Sequence, residues 1–289
     1  MTQTPKQRRW PRRTRRAVLL LGGVYLGVFL VLLALERWLI FRPSPAADWV
    51  DPPPALHAED VWLAAGSDRV HAWWCPPEGW EPSRGAVLYA HGNAGNLSHR
   101  GESVRRWQER VGSGVLIFDY PGYGKSTGRP SEAGCYAAAD AAYDWLVRDR
   151  GVPPERVLLH GGSLGGAVAV ELATRRPYRA LVLVSTFTSM PDMAARLYPW
   201  LPSRPFIRNR FESLGKIGRT RGKVFIAHGT ADRFIPFTMG ERLFAAAPEP
   251  SRFFPMIDYD HNHSPGPEFY AEVVHFLREL DDRPGPPPD

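Results

Sequence analysis

The feature of this sequence that most limits its fold is a regular alternation of short apolar runs and longer helical segments after residue 59. Most runs are four or five residues long and rich in β-branched side chains, which is typical of strands buried on both faces of a parallel sheet. We predict a β-hairpin at Asp60–Ala64 and Val70–Cys75, then strands at Ala86–Ala90, Val115–Phe118, Val157–His160, Ala180–Val184, Val224–Ala227 and Phe253–Ile257. Helices are predicted at Leu97–Arg110, Ser131–Arg148, Leu164–Arg175, Phe237–Ala246 and Pro267–Leu280. This order predicts an α/β fold whose mostly parallel, doubly wound sheet has helices on both faces.

The positive charge of the chain is concentrated in its first 16 residues. The whole chain has a formal net charge of +6, while residues 1–16 hold seven basic side chains and no acid, so the remainder carries −1. The seven are Lys6, Arg8, Arg9, Arg12, Arg13, Arg15 and Arg16. A nucleic-acid-binding domain carries its basic residues on a folded surface, and the nearly neutral remainder excludes that class. The part of the chain after residue 16 is long enough for one globular core.

An uncharged run of 19 residues, Ala17–Leu35, follows the basic tail. At 1.5 Å per residue a helix of this length nearly spans a hydrocarbon core of about 30 Å, and aromatic residues at 38–41 suit the membrane interface. We therefore predict a transmembrane signal anchor over residues 17–40. Because arginines precede the run and few follow it, the tail at 1–16 is expected in the cytoplasm and the globular domain on the opposite, periplasmic or extracytoplasmic, side.

The competing interpretation of this segment is a secretory signal that is removed. Ala46-Ala47 offers a weak processing site, and Thr14-Arg15-Arg16 loosely resembles a twin-arginine export signal. The apolar run is longer than the usual 7–15 residues of a signal peptide, which favours an uncleaved anchor. Prolines at 43, 45 and 52–54 predict a stiff linker over residues 41–58. The Pro-rich residues 281–289 are predicted to be a disordered tail.

The segment Gly161-Gly162-Ser163-Leu164-Gly165 lies between a predicted strand and a predicted helix. A G-x-S-x-G sequence in that position indicates a nucleophile elbow, in which a sharp turn raises the serine hydroxyl above the sheet edge. The N-terminus of the following helix presents N–H groups toward developing negative charge. Ser163 is therefore the predicted nucleophile, and the Leu164 N–H is one predicted oxyanion donor.

A nucleophilic serine needs a base, and the base needs an orienting carboxylate. In a doubly wound sheet these groups are expected at the carboxyl ends of strands. Asp232 follows the strand at 224–227 and is the predicted orienting acid. His261 and His263 both follow the last strand and are the candidate bases. Asp260 is a poor orienter of the adjacent imidazole, because neighbouring side chains diverge.

The glycine-containing loop His91-Gly92-Asn93-Ala94-Gly95-Asn96 follows the strand at 86–90. Its position predicts the second half of an oxyanion hole, with the Asn93 N–H as the donor. It lacks the Gly-Lys-Ser/Thr ending of a phosphate loop. We interpret His91 as a support for this loop and Asp119, at another strand end, as structural. Cys75 and Cys135 are interpreted as isolated thiols, and no metal or cofactor is expected.

Residues at about 186–222, between two predicted strands, form a long insertion that is rich in apolar side chains and arginines. The apolar members are Phe187, Met190, Met193, Leu197, Tyr198, Trp200, Leu201, Phe206, Ile207 and Phe211, and the arginines are Arg196, Arg204, Arg208 and Arg210. Insertions of this length are usually functional. A helical lid over an acyl-binding site is one interpretation, and a packed helical cap with a solvated basic face is the other.

Together these segments resemble the α/β-hydrolase superfamily, and more narrowly its Bem46-like branch, which includes the ABHD13- and ABHD17-type hydrolases. A serine-aminopeptidase-type hydrolase domain is also similar. The matching segments begin at His91, Asp119, Gly162, Tyr198, His228 and His261.

The resemblance implies an α/β-hydrolase fold over residues 59–280, with a helical lid and a Ser163–His261–Asp232 triad. It selects His261 over His263, because the family has a His-Asn pair there. This chain departs from the family at Tyr259-Asp260, where a glycine is usual before the histidine. An N-terminal membrane segment is common in the branch.

The residues and the resemblance together predict a membrane-anchored serine hydrolase. Its substrate is expected to be a carboxylic ester or thioester with an apolar acyl group, small or lipid-like, cleaved through an acyl-enzyme. The anchor makes the lipid bilayer its second partner, and no nucleic acid is expected. The alternatives are a serine aminopeptidase or amidase and, with less support, a non-catalytic binding protein that has kept the fold.

Overall fold

A computed structural model describes residues 11–282 of the chain. Residues 1–10 of the predicted basic tail and residues 283–289 of the predicted C-terminal tail lie outside the described residues. The strands are β1 (Arg42–Pro43), β2 (Glu59–Ala65), β3 (Asp68–Cys75), β4 (Ala86–Ala90), β5 (Ala94–Gly95), β6 (Gly114–Phe118), β7 (Val157–Gly162), β8 (Ala180–Val184), β9 (Val224–Gly229) and β10 (Ser251–Met256). The α-helices are α1 (Arg12–Ala34), α2 (Glu36–Ile40), α3 (Gly101–Val111), α4 (Glu132–Arg148), α5 (Leu164–Ala173), α6 (Met190–Leu197), α7 (Ser213–Ile217), α8 (Phe237–Ala246) and α9 (Pro267–Asp281).

The main sheet of residues 11–282 has eight strands in the order β10-β9-β8-β7-β4-β6-β3-β2. All neighbours are parallel except that β3 runs antiparallel to both β2 and β6. The predicted mostly parallel sheet and its initial hairpin are confirmed. The last strand begins two residues earlier than predicted, because pairing of Ser251 with Val224 extends the ladder beyond the apolar run.

Helices cover both faces of the sheet. On one face α4, α5 and α8 form a core with the sheet, in which Ala138 and Val168 are buried. On the other face α3 and α9 bury Trp107 and Phe276. The helix predicted at 97–110 begins as an α-helix only at Gly101, because residues 97–100 form a 3-10 turn. Asn96 caps this turn by accepting a hydrogen bond from the Ser98 amide at 3.0 Å. Cys75 and Cys135 are both free and buried, one in each core.

The N-terminal helix α1 is 23 residues long and apolar enough to span a membrane. It extends five residues before the predicted apolar run, into the arginines, and ends at Ala34. The short helix α2 follows after Leu35, so the segment predicted as one anchor over 17–40 consists of two helices. The side chains of α1 are mostly exposed, and Phe29 is its one buried residue.

Residues 41–58, predicted to be a linker leading away from a bilayer, instead pack against the domain. Phe41 is 1% exposed and Leu56 is 3% exposed. β1 pairs in parallel with β5, so that Arg42 is opposite Ala94. The prolines therefore do not make a free spacer, because apolar side chains at both ends of the segment are buried in the cores.

The predicted lid, residues 186–222, divides into two parts. Its first part, α6 and the loop that follows as far as residue 207, lines the cavity described below. Its second part contains α7, which packs against α5 and α8. Only the first part occupies the position expected of a lid.

Candidate active site

Ser163 occupies a strained turn between β7 and α5. Its φ of 52° and ψ of −118° are unusual for a residue with a side chain. The turn requires small neighbours, because a Cβ added to Gly161 would lie 2.2 Å from the Gly165 carbonyl oxygen. A Cβ on Gly165 would lie 2.0 Å from the carbonyl oxygen of Ala90. This arrangement is the geometry predicted for a nucleophile elbow.

Hydrogen bonds hold the elbow to the neighbouring strand β8. The Ser163 amide donates to the Val184 carbonyl at 2.9 Å, and the Thr186 hydroxyl donates to the Ser163 carbonyl at 2.7 Å. Leu164 is the first residue of α5, where a backbone N–H has no partner within the helix. The Ser163 hydroxyl forms no hydrogen bond within residues 11–282.

Asp232 follows β9 and is 6% exposed. Its Oδ1 accepts hydrogen bonds from the amides of Phe234 and Ile235, at 2.9 and 2.8 Å. Its Oδ2 lies 2.8 Å from Nδ1 of His261. Burial raises the pKa of the Asp232 carboxyl, but the imidazoles of His228 and His261 and the Ile235 amide outweigh this effect and lower the pKa below its usual value. The carboxyl is therefore ionised over the neutral range.

His228 is a neighbour of Asp232 that the sequence interpretation did not single out. It is fully buried, and its Nε2 lies 2.9 Å from the Ile235 carbonyl oxygen and 3.6 Å from Oδ2 of Asp232. The shorter distance identifies the carbonyl as its hydrogen-bond acceptor, and the carboxylate contact is an electrostatic one. The sequence signal that could have revealed this contact is the spacing of four residues between His228 and Asp232, at the end of a predicted strand.

The two candidate histidines have different environments. His261 bonds Asp232 through Nδ1, packs against Phe234 with ring centroids 5.1 Å apart, and lines the same cavity as Ser163. Its Nε2 is thus the ring nitrogen left for the serine. The exposed His263 instead bonds Asp260 at 2.9 Å. The geometry brings Ser163, Asp232 and His261 to one edge of the sheet and leaves His263 and Asp260 outside.

The loop after β4 lies beside Ser163, since a Cβ on Gly92 would be 3.7 Å from Cβ of Ser163. The buried His91 bonds Asp119 at 3.1 Å and the Gly92 carbonyl at 2.7 Å, so both residues support the loop, as predicted. The side-chain amide of Asn93 donates to the Ile40 carbonyl at 2.9 Å. The loop is therefore braced from beneath by His91 and from the side by the end of α2.

The segment after α2 also fixes the backbone of Asn93. The Asn93 carbonyl accepts hydrogen bonds from the Arg42 amide at 3.1 Å and from the Tyr123 hydroxyl at 2.8 Å. These bonds hold the peptide that follows Asn93, and the peptide that carries the Asn93 N–H is held through its Gly92 carbonyl, which lies 2.7 Å from Nδ1 of His91. The contribution of Ile40 and Arg42 was not predicted from the sequence, because they lie about 50 positions from Asn93.

A cavity of about 540 Å³ opens from Ser163 and His261. Its walls come from α1, α2, α6, the loop after α6 and the turn after Asp232, and most of the side chains are apolar. The wall residues are Phe29, Leu32, Leu33, Glu36, Leu39, Ile40, Arg42, Asn93, Leu164, Phe187, Met190, Met193, Ala194, Leu197, Tyr198, Leu201, Ser203, Ile207, Phe234, Ile235 and Asn262. The apolar lid predicted from 186–222 thus supplies one wall, and the N-terminal helices supply another that was not predicted.

A family model described as the alpha/beta hydrolase family matches residues 87–288. Among known proteins, uncharacterized protein Rv2307c of Mycobacterium tuberculosis is 39% identical over 259 residues, covering 86% of this chain and 89% of that protein. Human alpha/beta hydrolase domain-containing protein 17C is 30% identical over 246 residues, covering 82% and 70%. Arabidopsis thaliana alpha/beta hydrolase domain-containing protein WAV2 is 30% identical over 249 residues, covering 78% and 80%.

Solved structures show the same arrangement of sheet and helices. An esterase of Pyrococcus furiosus aligns with a TM-score of 0.63 at 18% identity, over 81% of this chain and 98% of that chain. Acetyl xylan esterase from Paenibacillus sp. R4 aligns with a TM-score of 0.66 at 18% identity, over 80% and 87%. At such identities the likeness shows the fold alone, and it confirms the predicted α/β-hydrolase architecture.

Proposed function

This chain belongs to the alpha/beta hydrolase family, and from that premise we propose that it is a membrane-anchored serine hydrolase that cleaves a carboxylic ester or thioester of an apolar acyl group. One observation carries the proposal. Ser163 on its strained elbow and the His261–Asp232 pair meet at one end of a largely apolar cavity.

The proposed reaction begins when Nε2 of His261 takes the hydroxyl proton of Ser163 as Oγ attacks the substrate carbonyl carbon. The tetrahedral oxyanion accepts hydrogen bonds from the amides of Asn93 and Leu164. The leaving alcohol or thiol receives the proton from His261. Water, activated by the same imidazole, then attacks the acyl-enzyme and releases the acid and free Ser163. The serine–histidine hydrogen bond absent from the described structure forms on substrate binding, as is common for catalytic contacts.

Asp232 has two roles in this proposal. Its Oδ2 accepts a hydrogen bond from Nδ1–H of His261, which leaves Nε2 unprotonated and free to act as the base. Because its pKa is lowered, the carboxylate stays ionised and stabilises the imidazolium that forms during attack.

The cavity favours an ester over a peptide with a free amino terminus. An aminopeptidase needs a free carboxylate to pair with the substrate ammonium. Glu36 is the one acidic residue among the described cavity walls, and its Oε1 already accepts hydrogen bonds from the Arg208 amide and from both the amide and the side chain of Asn209. The wall is therefore better suited to an acyl chain than to an amine.

Membrane attachment through α1 is part of the same proposal. The helix has the length and composition of a span, and arginines 12, 13, 15 and 16 begin it. By the positive-inside rule the N-terminus is cytoplasmic and the hydrolase domain extracytoplasmic. Proteinase K added to spheroplasts that carry a C-terminally tagged chain should remove the tag. Protection of the tag until the spheroplasts are lysed would reverse the proposed topology.

A fluorophosphonate probe tests the central claim, because it reacts with activated serine nucleophiles. We expect labelling of the wild-type protein, loss of labelling in Ser163→Ala and in His261→Ala, and retained labelling in the control His263→Ala. An unlabelled wild-type protein, or a labelled Ser163→Ala variant, would refute the serine mechanism.

A series of p-nitrophenyl esters from acetate to palmitate tests the acyl preference. The apolar walls predict that kcat/KM rises with chain length, since each buried methylene contributes about 0.8 kcal/mol at most. A preference for acetate would show that the cavity does not bind the acyl group.

A further inference from the structure

We propose that α1 is a wall of the acyl-binding cavity as well as an anchor, and that the acyl chain of a membrane lipid ester reaches Ser163 directly from the bilayer. This inference rests on the function proposed above and deepens it by naming the route and the substrate class.

The cavity is continuous from the catalytic residues to the N-terminal helix. Phe29, Leu32 and Leu33 of α1 line the same space as Ser163 and His261. Phe29 is 8% exposed, although almost all of the remaining helix is exposed. A helix that served only as a tether would have no reason to place its C-terminal turns against the catalytic cavity.

The lid contacts α1 well inside the span. The Tyr25 hydroxyl donates to the Trp200 carbonyl at 2.9 Å, and the two rings lie 6.1 Å apart. Farther along the helix, the rings of Phe29 and Phe206 meet edge to face at 5.2 Å. Tyr25 precedes Leu35 by ten residues, which is about 15 Å along a helix axis. That distance is roughly half the thickness of a hydrocarbon core, so a lid in contact with Tyr25 lies within one leaflet.

The surface of the lid is apolar enough to lie in the hydrocarbon layer of a membrane. Leu197, Trp200 and Phe206 are each about half exposed, at 48%, 53% and 49%. In water, exposed apolar groups of this size beside an apolar helix form an aggregation-prone patch, whereas in a leaflet they contact acyl chains. Trp38, 65% exposed beneath Arg37, marks the interface at the end of the span.

The wall formed by α1 and α2 is held against the lid by a buried carboxylate. Glu36 is 6% exposed, and its Oε1 accepts the backbone amides of Arg208 and Asn209 at 3.0 and 2.8 Å. These bonds join the end of the span to the loop that follows α6. One wall of the cavity thus belongs to the membrane helix α1, and another belongs to the lid, which packs beside α1.

This geometry favours a lipid as the source of the acyl chain. A membrane lipid carries its ester carbonyl at the boundary of the hydrocarbon layer, where the end of α1 and the cavity meet. Its acyl chain can enter between α1 and the lid without leaving the leaflet. Transfer through water would instead expose every methylene of the chain, which the hydrophobic effect opposes.

Photocrosslinking tests the route in the full-length protein in phosphatidylcholine nanodiscs. The probe is a hexadecyl fluorophosphonate with a diazirine at the end of its chain, and a butyl analogue is the short control. After Ser163 has reacted, photolysis should crosslink the long chain to residues 25–33 and the short chain to none of them. Crosslinks confined to residues 187–207 would overturn the inference. Absence of a Ser163 adduct would instead refute the proposed function.

Two adjacent substitutions on α1 provide a matched kinetic test. Leu32 lines the cavity, whereas Val31 is 56% exposed and is not part of its wall. Leu32→Trp should lower kcat/KM for a palmitoyl ester about tenfold more than for a butyryl ester, because the indole fills the route of the long chain. Val31→Trp should match wild type with both esters. Equal effects of the two variants, with both still labelled by a short fluorophosphonate, would overturn the inference.

The lipid assignment is tested in nanodiscs doped with dioleoylglycerol or with an S-palmitoylated peptide. Oleate release by the wild-type protein and not by Ser163→Ala is the expected result. Hydrolysis of the peptide thioester alone would overturn the assignment to a lipid.

Discussion

The two ends of the cavity are built in different ways. At the sheet end, Gly165 has a backbone oxygen within 2.0 Å of the position a Cβ would take, and Asp232 is 6% exposed with both carboxylate oxygens bonded. At the α1 end, Trp200 and Phe206 are about half exposed and meet the helix through ring contacts. The sheet end is held by backbone contacts and hydrogen bonds that leave no room for an added methyl group, whereas the α1 end is joined to the lid largely by contacts between partly exposed rings.

The two ends of the cavity therefore have different proposed roles, catalysis at the sheet end and substrate selection at the α1 end. The proposed catalytic groups are all on loops of the sheet, where hydrogen bonds and close backbone contacts allow one arrangement. The acyl wall combines segments from distant parts of the chain, residues 29–40 and 187–207. We therefore expect substitutions at the sheet end to remove activity or stability, and substitutions at the α1 end to produce smaller and more local effects.

The largest effect is expected from Asp232→Asn at the sheet end. Oδ1 is held by two backbone amides, so the new NH2 group faces Nδ1 of His261 and donates to it. This favours the tautomer protonated at Nε2, and the charged form of His261 loses its stabilising carboxylate. We expect kcat to fall about 10³- to 10⁴-fold, measured with the preferred p-nitrophenyl ester. Asp260→Asn, an exposed control that contacts His263, should remain within about twofold of wild type. Similar losses in both variants would argue against the assignment of Asp232.

Gly165→Ala should be the next most damaging change. The added Cβ meets the carbonyl oxygens of Ala90 and His91, which belong to the backbone and cannot rotate away. We expect a loss of about 3 kcal/mol or more in the free energy of unfolding, with slower fluorophosphonate labelling. In the control Gly215→Ala the new methyl meets no atom within 4 Å, and the variant should be as stable as wild type or about 1 kcal/mol more stable. A tolerated Gly165→Ala would show that the elbow is less constrained than its geometry indicates.

The pH dependence of the free energy of unfolding tests whether the sheet end excludes water from buried groups such as His160. Burial lowers the pKa of His160 to about 3, against the raising effect of its hydrogen bond to the Val182 carbonyl. The unfolded chain takes up a proton near the usual pKa of 6.5, while the folded chain does not until about 3. Stability is therefore lost as the pH falls below 6.5, by about 2 kcal/mol between pH 7.5 and 5.

Denaturant unfolding of the detergent-solubilised protein at both pH values measures this loss. His160→Phe should remove the His160 contribution, because a phenyl ring has no proton to bind. His275→Gln, at an exposed position on α9, should keep it. If His160→Phe shows the full acid dependence of wild type, His160 is not its source.

The smallest effect is expected at the α1 end. Glu36→Gln keeps the shape of the side chain but replaces a charged acceptor with a neutral one. We expect the loop at 204–211 to open more easily by about 1 kcal/mol, so its amides exchange with deuterium about fivefold faster. Glu81→Gln, a surface control, should leave this exchange unchanged. Unaltered exchange in Glu36→Gln would show that the carboxylate does not hold the loop.

The sheet, Ser163 and Asp232 could be predicted from the sequence because their signals are local, whereas the choice of His261 over His263 needed the family resemblance. A buried strand has a short apolar run, and Asp232 and His261 come directly after such runs. The elbow is encoded within five residues by glycines that its turn requires. Strand ends were less predictable, since Ser251 joins β10 through its ladder with Val224 and not through its own hydrophobicity.

The α1 wall could not be predicted because nothing near it in the chain indicates its partners. Glu36 bonds residues more than 170 positions away, and Tyr25 contacts Trp200 at a separation of 175. The one available signal was an acidic residue directly after an uncharged run, next to Arg37. Likewise, the prolines of 41–58 predicted a spacer, but burial of Phe41 decides where that segment lies.

The contacts of Asn93 tie the loop beside Ser163 to a segment that precedes residue 46. Its side chain is held by the Ile40 carbonyl and its own carbonyl by the Arg42 amide, both of which precede Ala46-Ala47. A peptidase that cut after Ala47 would separate both of these groups from the chain of the hydrolase domain, while the loop beside Ser163 would keep its bonds to His91 and Tyr123. We therefore expect a chain cut after Ala47 to react more slowly with a fluorophosphonate than the intact chain, although every proposed catalytic side chain stays in place.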